Sequence, residues 1–356
     1  MIRKTVSAAI ILATLGVGAP AYADIAYEKA NQQIVEAHIL PGYTAFAQAG
    51  QRLKTATHSY CGEGETSLDG LKEVMQGAMA SWQSIQHIRF GPIAEEDRHF
   101  RIEFWPDKRN MTSKALTSLR QDIAKGDTVD DERIAQTSVA AQGFPALERL
   151  LYGDKDIQPG SADCQLAEVI SDNVAGIADA TLKAWGDDGF AERSLSGFGY
   201  YQEPKDLTFE LFKAFKTSLE WVEDSKLRRP LGDDMKHARS HRAESWRSAT
   251  SADHILRNID AIEAFYSADK TGGFAALLQE TPVGTDLHWG ILGKLHEARE
   301  AIRKIDGPLY KAVKDPAGRA HMEDAIAALR EMREWVDTEM ASLLEMPLGF
   351  NSLDGD

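Results

Sequence analysis

The sequence predicts an all-α protein made of two helical bundles and preceded by a cleaved signal peptide. Apolar residues recur at helical spacing along most of the chain, and strand-like alternation of useful length is absent. A glycine-rich segment, 186–205, interrupts the pattern near the middle and predicts a boundary between two halves. A hydrophobic content of 43% is ordinary for globular proteins, so both halves can form packed cores.

In the first half, an apolar stripe runs along the predicted helices, and Pro41 is expected to kink the first of them. Thr66 and Ser67 can cap the second. Turn residues cluster at 89–93 and 104–107. The helices predicted in this half cover 27–57, 66–87, 112–125, 130–141 and 162–185.

The second half resumes the helical pattern after the glycine-rich boundary. Its predicted helices cover 207–226, 233–249, 252–266, 287–305 and 317–344. We therefore expect an N-terminal helical bundle over 24–195, a C-terminal helical bundle over 196–350 and a flexible tail over 351–356.

The N-terminus has the three parts of a signal peptide. Arg3 and Lys4 form a short positive region, an apolar stretch covers 6–19, and Ala21-Tyr22-Ala23 supplies the small residues that signal peptidase requires. The apolar stretch is shorter than the ~20 residues that a transmembrane helix needs. We therefore predict that residues 1–23 are removed, with an uncleaved membrane anchor as the alternative.

Export would leave a soluble protein in the periplasm. The first residue after the predicted cleavage site is Asp24 rather than a cysteine, which argues against a lipid anchor.

The chain is strongly acidic, with a formal net charge of −15. Loss of the signal peptide would remove two basic residues and no acidic ones, and would make the chain more acidic still. This charge argues against nucleic acid as a partner and against anionic lipid, and it permits cations such as metal ions. It is equally consistent with a charge that only keeps the protein in solution.

Cys61 and Cys164 lie in turn-like surroundings, and the periplasm is oxidising. We predict a disulfide between them, with two unpaired thiols as the alternative. A loop of this length would stabilise the fold by about 4–5 kcal/mol in the chain-entropy model. Neither cysteine is part of a CxxC motif, so a redox or zinc–sulfur site has little support.

The most unusual local feature begins at Gly143. Pro145 suits the first turn of a new helix, Glu148 follows three residues later near its positive end, and Gly153 is suited to end it. One interpretation is a kinked helix with a dipole-stabilised glutamate. The other is that the break directs Glu148 into a cleft between helices.

Several further short motifs follow one another along the chain: Pro41-Gly42-Tyr43, Trp82, Arg89-Phe90-Gly91-Pro92, Phe104-Trp105-Pro106-Asp107-Lys108-Arg109, Arg229-Pro230-Leu231-Gly232 and Ala243-Glu244-Ser245-Trp246-Arg247-Ser248. Together with the 143–148 segment, their order resembles the imelysin-like family, which includes imelysin peptidases and bacterial iron-uptake proteins. The family's motif is Gly-x-His-x-x-Glu. The resemblance spans nearly the whole mature chain and implies an imelysin-like pair of helical bundles.

The resemblance also implies a ligand-binding cleft between the two bundles. Gly143, Pro145 and Glu148 occupy the motif positions, and Glu148 is the leading candidate. Trp105 and Arg89, from the other motifs of the first half, are further candidates for the cleft.

At the histidine position of the motif this sequence has Pro145, which cannot ligate a metal through its side chain. The chain also lacks a His-Glu-x-x-His motif, which would supply two metal ligands and a general base. Both departures argue against peptidase activity, and whether the protein is an enzyme stays open.

A second candidate metal site lies on the predicted 233–249 helix. Asp233, His237, His241 and Glu244 would share one face of it, and such a set suits zinc or ferrous iron. His237 and His241 could then act with Glu148 as metal ligands. A solvated charged face explains the same pattern.

The leading functional hypothesis is a periplasmic, non-catalytic binding protein, linked to the uptake of iron or another metal. Its partner would be a metal ion or a small ligand. The first alternative is a metallopeptidase of the imelysin type. The second is an interaction module for a membrane transport system.

Overall fold

A computed structural model describes residues 19–62, 64–196, 199, 201–268, 270 and 272–347. These residues confirm the predicted all-α fold and contain no strand. Of the predicted signal peptide, only the backbone of 19–23 is described, as the start of the first helix, and the predicted tail lies outside the described residues. Within the described residues, no helix is both long and apolar enough to cross a membrane.

Nine α-helices form the first half of the described chain. They are α1 (Ala19–Ile34), α2 (Leu40–Cys61), α3 (Leu68–Gln83), α4 (Arg98–Ile102), α5 (Met111–Lys125), α6 (Asp131–Ala135), α7 (Phe144–Leu151), α8 (Ala162–Trp185) and α9 (Phe190–Leu195).

Eight more α-helices belong to the second half. They are α10 (Pro204–Glu220), α11 (Arg229–Leu231), α12 (Ser251–Ser267), α13 (Gly273–Leu278), α14 (Pro282–Arg303), α15 (Leu309–Ala312), α16 (Pro316–Trp335) and α17 (Ala341–Leu343).

Shorter helical segments connect some of these elements. The π-helical segments are Val35–Ile39, Trp221–Arg228 and Val336–Met340, and the 3₁₀ segments are Gly91–Ile93, Glu95–Asp97, Val139–Ala141 and Ser240–Arg242. The first π segment directly precedes α2, near whose start Pro41 lies. Proline has no N–H to donate to the preceding turn, and the wider π turn accommodates that missing bond.

The two halves share a continuous apolar core. In the first half α2 packs between α3 and α8, and in the second α14 packs against α16. The first helix, α1, crosses over and lies against α10 and α13. Hydrogen bonds anchor it there: the Tyr27 hydroxyl donates to the carbonyl of Leu344 (3.0 Å), and the Asn31 amide donates to that of Pro204 (2.7 Å).

The predicted disulfide is present. Cys61, at the end of α2, is bonded to Cys164 in the first turn of α8, across a sequence separation of 103 residues. The bond joins the two helices that pack together most extensively in this half.

The continuous helix predicted over 130–141 is wrong. α6 ends at Ala135, and the chain then turns before a short 3₁₀ segment. The side-chain amide of Gln142 donates to the carbonyl of Thr137 (2.7 Å), and Ser138 caps the 3₁₀ segment at Ala140. Side chains thus bond the backbone groups that a continued helix would have used.

The helix predicted over 233–249 is also wrong. Residues 232–250 form a loop, called here the 232–250 loop, in which only Ser240–Arg242 make a 3₁₀ turn. Gly232 has a φ of +65°, and a Cβ there would lie 2.4 Å from the carbonyl oxygen of His237. The Arg239 amide bonds back to the carbonyl of Pro230 (2.8 Å). The face that was to align four metal ligands therefore does not exist.

Candidate functional site

A pocket lies where the two halves of the sequence meet, and we call it the inner pocket. It has a volume of about 80 Å³. The first half contributes the turn at 104–107 and one face of α7, and the second contributes Arg229 and the 232–250 loop. The lining residues are Phe104, Trp105, Pro106, Asp107, Pro145, Glu148, Arg149, Arg229, His241, Arg242, Ala243, Ser245, Trp246 and Arg247.

The start of α7 packs against the last residues of α4. A Cβ on Gly143 would lie 2.0 Å from the carbonyl oxygen of Ile102 and 2.4 Å from that of Arg101, so only glycine fits. Pro145 follows in the first turn of α7, where its missing N–H leaves no broken bond. Gly143 is therefore a packing residue, whereas Pro145 lines the inner pocket.

The Glu148 carboxylate organises the opposite wall of the pocket. Its Oε1 atom accepts hydrogen bonds from the backbone amides of Arg247 (3.1 Å) and Ser248 (2.9 Å) and from the Ser248 hydroxyl (2.9 Å). The donors lie about a hundred residues further along the chain, so this one side chain fixes the 232–250 loop against α7. Glu148 is buried, and one of its oxygens is fully used in this way.

Arg149, the next residue of α7, interacts with side chains of the first half of the chain. Its guanidinium donates to Asn110 (2.9 Å) and lies 3.3 Å from Asp107. Burial, and next the positive charge of Arg247, lower the pKa of Arg149. Burial alone would raise the pKa of Asp107, but hydrogen bonds from the amides of Thr112 and Met111 and the charge of Arg149 bring it below its usual value.

Three further arginines line the inner pocket without such partners. The guanidinium groups of Arg229, Arg242 and Arg247 make no hydrogen bond or ion pair within the described part of the chain. Burial, followed by the charge of Arg242, lowers the pKa of Arg229. The inner pocket therefore holds more positive than negative charge in a protein whose net charge is −15.

Aromatic rings support this positive charge. The Arg247 guanidinium lies over the ring of Trp246, 4.3 Å from its centroid. The imidazole of His241 is stacked on Trp246 at 4.1 Å with an interplanar angle of 24°. A ring face attracts a guanidinium without neutralising its charge, so Arg247 remains available to an anion.

The structure brings Trp105 into the inner pocket but not Arg89. The Arg89 guanidinium covers the ring of Trp221 (4.1 Å), and Trp221 meets Trp105 edge to face (5.7 Å). Arg89 lines a separate small cavity together with His87. Two indole rings thus lie between Arg89 and the inner pocket.

His237, His241 and Glu148 do not come together as a metal site. His237 is exposed and pairs with Asp234 (2.8 Å), and only His241 and Glu148 line the inner pocket. Among the residues that the structure describes, no group of three or more His, Cys, Asp or Glu could hold a metal ion.

A buried ionic cluster lies directly behind the 232–250 loop. The Lys226 ammonium is 2.8 Å from Glu244, and His254 is 3.1 Å from the same carboxylate. Glu103 accepts a hydrogen bond from the Trp82 indole (2.7 Å). Burial and then the charge of Glu244 raise the pKa of Glu103 well above its usual value.

Sequence reasoning missed the pocket arginines. Arg229 and Arg247 lie within motifs that carried the family resemblance, but their role as a cationic lining was not recognised. In the printed sequence they are indistinguishable from a solvated basic face, because ion pairing depends on the tertiary neighbours.

A family model described as Imelysin matches residues 39–335. An imelysin-like protein from Psychrobacter arcticum 273-4 superimposes with a TM-score of 0.77 at 16% identity, covering 94% of this chain and 100% of that one. A candidate iron-regulated protein A precursor from Parabacteroides distasonis ATCC 8503 gives a TM-score of 0.73 at 15% identity, covering 90% and 95%. No curated protein matches the sequence.

Proposed function

This chain belongs to the imelysin family, and we propose that it is a non-catalytic binding protein of the periplasm whose inner pocket binds a carboxylate group of a small organic anion. The observation that carries the proposal is the set of unpaired arginines, Arg229, Arg242 and Arg247, on a pocket between the two halves. Guanidinium groups bind carboxylates through two parallel hydrogen bonds.

The hydrogen bonds of Glu148 support a role in shaping the binding site. Its Oε1 atom already accepts three hydrogen bonds from the 232–250 loop. Glu148 serves here to shape the cationic wall, and the proline at the motif's histidine position is compatible with that role.

The proposed link to iron lies in the ligand, which would carry the metal ion. Carboxylate oxygens suit hard metal ions, and a polycarboxylate chelate presents its metal inside an anion. Such a chelate would be held by arginines, without a protein ligand set for iron or zinc. The relative from Parabacteroides distasonis is described as iron-regulated, which agrees with this proposal. A membrane transport partner would receive the loaded protein.

Thermal unfolding of the purified protein tests the proposal. Citrate, ferric citrate, zinc sulfate and sodium chloride are compared at equal ionic strength on the wild type and on Arg247→Gln. We expect both citrate forms to raise Tm of the wild type. Loss of one charged hydrogen-bonding partner should weaken citrate binding about tenfold or more in the variant.

Two results would contradict the proposal. The first is an absence of stabilisation by either citrate form, or an equal shift in both proteins. The second is cleavage of an unfolded protein substrate that chelators inhibit and Glu148→Gln abolishes, which would establish the metallopeptidase alternative.

A further inference from the structure

A second, wider cavity adjoins the inner pocket. It has a volume of about 580 Å³, and we call it the outer groove. It shares two lining residues, His241 and Arg242, with the inner pocket, so the two spaces meet at the 3₁₀ turn of the 232–250 loop. Its lining residues are Arg239, Ser240, His241, Arg242, Tyr310, Lys311 and Lys314.

The positive charge of the outer groove is uncompensated. None of the residues that line it is acidic. Arg239, Arg242, Lys311 and Lys314 form no ion pair in the part of the chain that the structure describes. Like charges gathered on one surface repel one another, and a bound anion would remove that repulsion.

A buried side chain connects the two walls of the outer groove. Arg319, a buried residue of α16, donates to the carbonyl of Leu231 (2.7 Å) and to that of Val313 (3.1 Å). The first carbonyl precedes the 232–250 loop, and the second follows α15, which starts the other wall. The Trp246 and Tyr310 rings meet edge to face across the walls (6.1 Å). The groove is therefore a preformed feature of the fold.

The inner pocket and the outer groove differ in volume, and therefore in what each can hold. Sites for small molecules usually have volumes of roughly 300–1,000 Å³. The inner pocket, at about 80 Å³, has room for one anionic group. The outer groove, at about 580 Å³, has room for the rest of a larger ligand. A ligand that fills both must carry anionic groups at separate positions.

We propose that the ligand is an extended organic polycarboxylate, with one carboxylate in the inner pocket and the others along Arg239, Lys311 and Lys314 in the outer groove. This inference rests on the proposed function, since it assigns the same site a longer ligand. The aromatic walls formed by Trp105, Trp246 and Tyr310 suit a carbon skeleton and make an inorganic phosphate chain a poorer fit.

Calorimetric titration with two probes tests this inference. The probes are N-acetylglutamate, which carries two carboxylates, and an N-acetylated tetraglutamate peptide, which extends further. We expect the peptide to bind the wild type at least about tenfold more tightly, a gain that one charged hydrogen bond can supply. The double variant Lys311→Gln/Lys314→Gln should lose that gain and bind the peptide and N-acetylglutamate with similar affinities.

A matched control separates local from general charge effects. Lys125→Gln/Lys304→Gln changes the net charge equally at exposed positions outside both cavities, and it should bind both probes as the wild type does. The inference is overturned if the peptide binds no better than N-acetylglutamate, or if both double variants weaken the peptide equally. Equal affinity for inorganic tripolyphosphate would overturn the choice of an organic anion.

Failure of the proposed function would look different. In that case neither N-acetylglutamate nor citrate would bind, or Arg247→Gln would leave their affinities unchanged. If the inner pocket binds both anions but the peptide gains nothing, only the extension into the outer groove is wrong.

Discussion

Two charged regions of this protein lie only a few residues apart and have opposite character. Behind the 232–250 loop, Lys226 is fully buried and bonded to Glu244, which also meets His254. In front of the loop, Arg229 and Arg247 face the inner pocket without an ion pair among the described residues. One region has its charges satisfied inside the protein, and the other requires a partner from outside.

The difference shows which charges stabilise the fold and which are available to bind a ligand. A buried charge is tolerated only when it is paired and hydrogen-bonded. A cation at an open pocket keeps part of its hydration and can remain unpaired at little cost. Removing a charge should therefore have opposite effects on stability in the two regions.

The largest effect is expected from Lys226→Met, which leaves Glu244 buried without its strongest partner. Loss of one member of a buried pair typically lowers stability by about 3–5 kcal/mol. Urea unfolding would measure it, with Lys125→Met as a control whose exposed pair with Asp122 is worth about 1 kcal/mol or less. Similar losses in the two variants would remove the distinction between the regions.

Glu148→Ala should have the next largest effect, because Glu148 joins the two halves through hydrogen bonds to the 232–250 loop. Loss of bonds to a charged acceptor, with the donors then open to water in the pocket, should lower stability by roughly 2–3 kcal/mol. Glu148→Gln retains an acceptor oxygen and should lose less. Equal losses in the two variants, measured by urea unfolding, would show that the hydrogen bonds are unimportant.

A third region keeps two buried histidines neutral and extends the comparison to pH. His38 and His87 are buried with their Nε2 atoms 2.9 Å apart, and burial lowers the pKa of His38 to about 4. The unfolded chain, with a histidine pKa near 6.5, then binds more protons than the folded chain between pH 6.5 and 4. The contribution of His38 to stability must therefore decrease as the pH decreases through this window, by roughly 2 kcal/mol from pH 7 to pH 5.

Urea unfolding of the wild type and of His38→Gln at pH 7 and pH 5 would check this dependence. The change to pH 5 should be less destabilising in the variant than in the wild type. The lowered pKa of Glu244 acts mainly below pH 5, because its usual value lies near 4.5, whereas the raised pKa of Glu103 acts in the opposite direction above that value. His38→Gln removes only the histidine contribution, so a pH dependence equal to that of the wild type would contradict the buried neutral pair.

The smallest effect is expected from Arg229→Gln, and its sign is opposite to that of Lys226→Met. Neutralising an unpaired cation beside Arg242 relieves repulsion and should raise stability by roughly 0.5 kcal/mol at low salt. The same variant should bind citrate more weakly. A destabilisation above about 1 kcal/mol would mean that Arg229 is a structural residue.

The helical fold could be predicted from the sequence because apolar spacing is a local property. The periodicity indicated α2, α3, α8 and α14, and the turn-rich surroundings of Cys61 and Cys164 indicated their disulfide. The division at residue 195 stays a prediction.

The loop that carries half of the site could not be predicted in this way. Residues 233–249 have a helical pattern, but amides within this segment bond to Glu148, about a hundred residues earlier. Long-range hydrogen bonds of this kind leave no periodic signal. Glu148, Pro145 and Trp105 were expected at one cleft, and all three line the inner pocket. The cationic character of the pocket depends on which arginines lack partners, which the sequence does not show.

Anion binding by the inner pocket is tested most directly by the dissociation constant of citrate, measured at low salt in a series of variants that differ in the charge of the pocket. The series consists of Glu148→Gln, wild type, Arg247→Gln and Arg229→Gln/Arg247→Gln. If the inner pocket binds anions, affinity should fall in that order, by about three- to tenfold per charge. Citrate affinity that is lost in Glu148→Gln while the arginine variants bind normally would contradict the account.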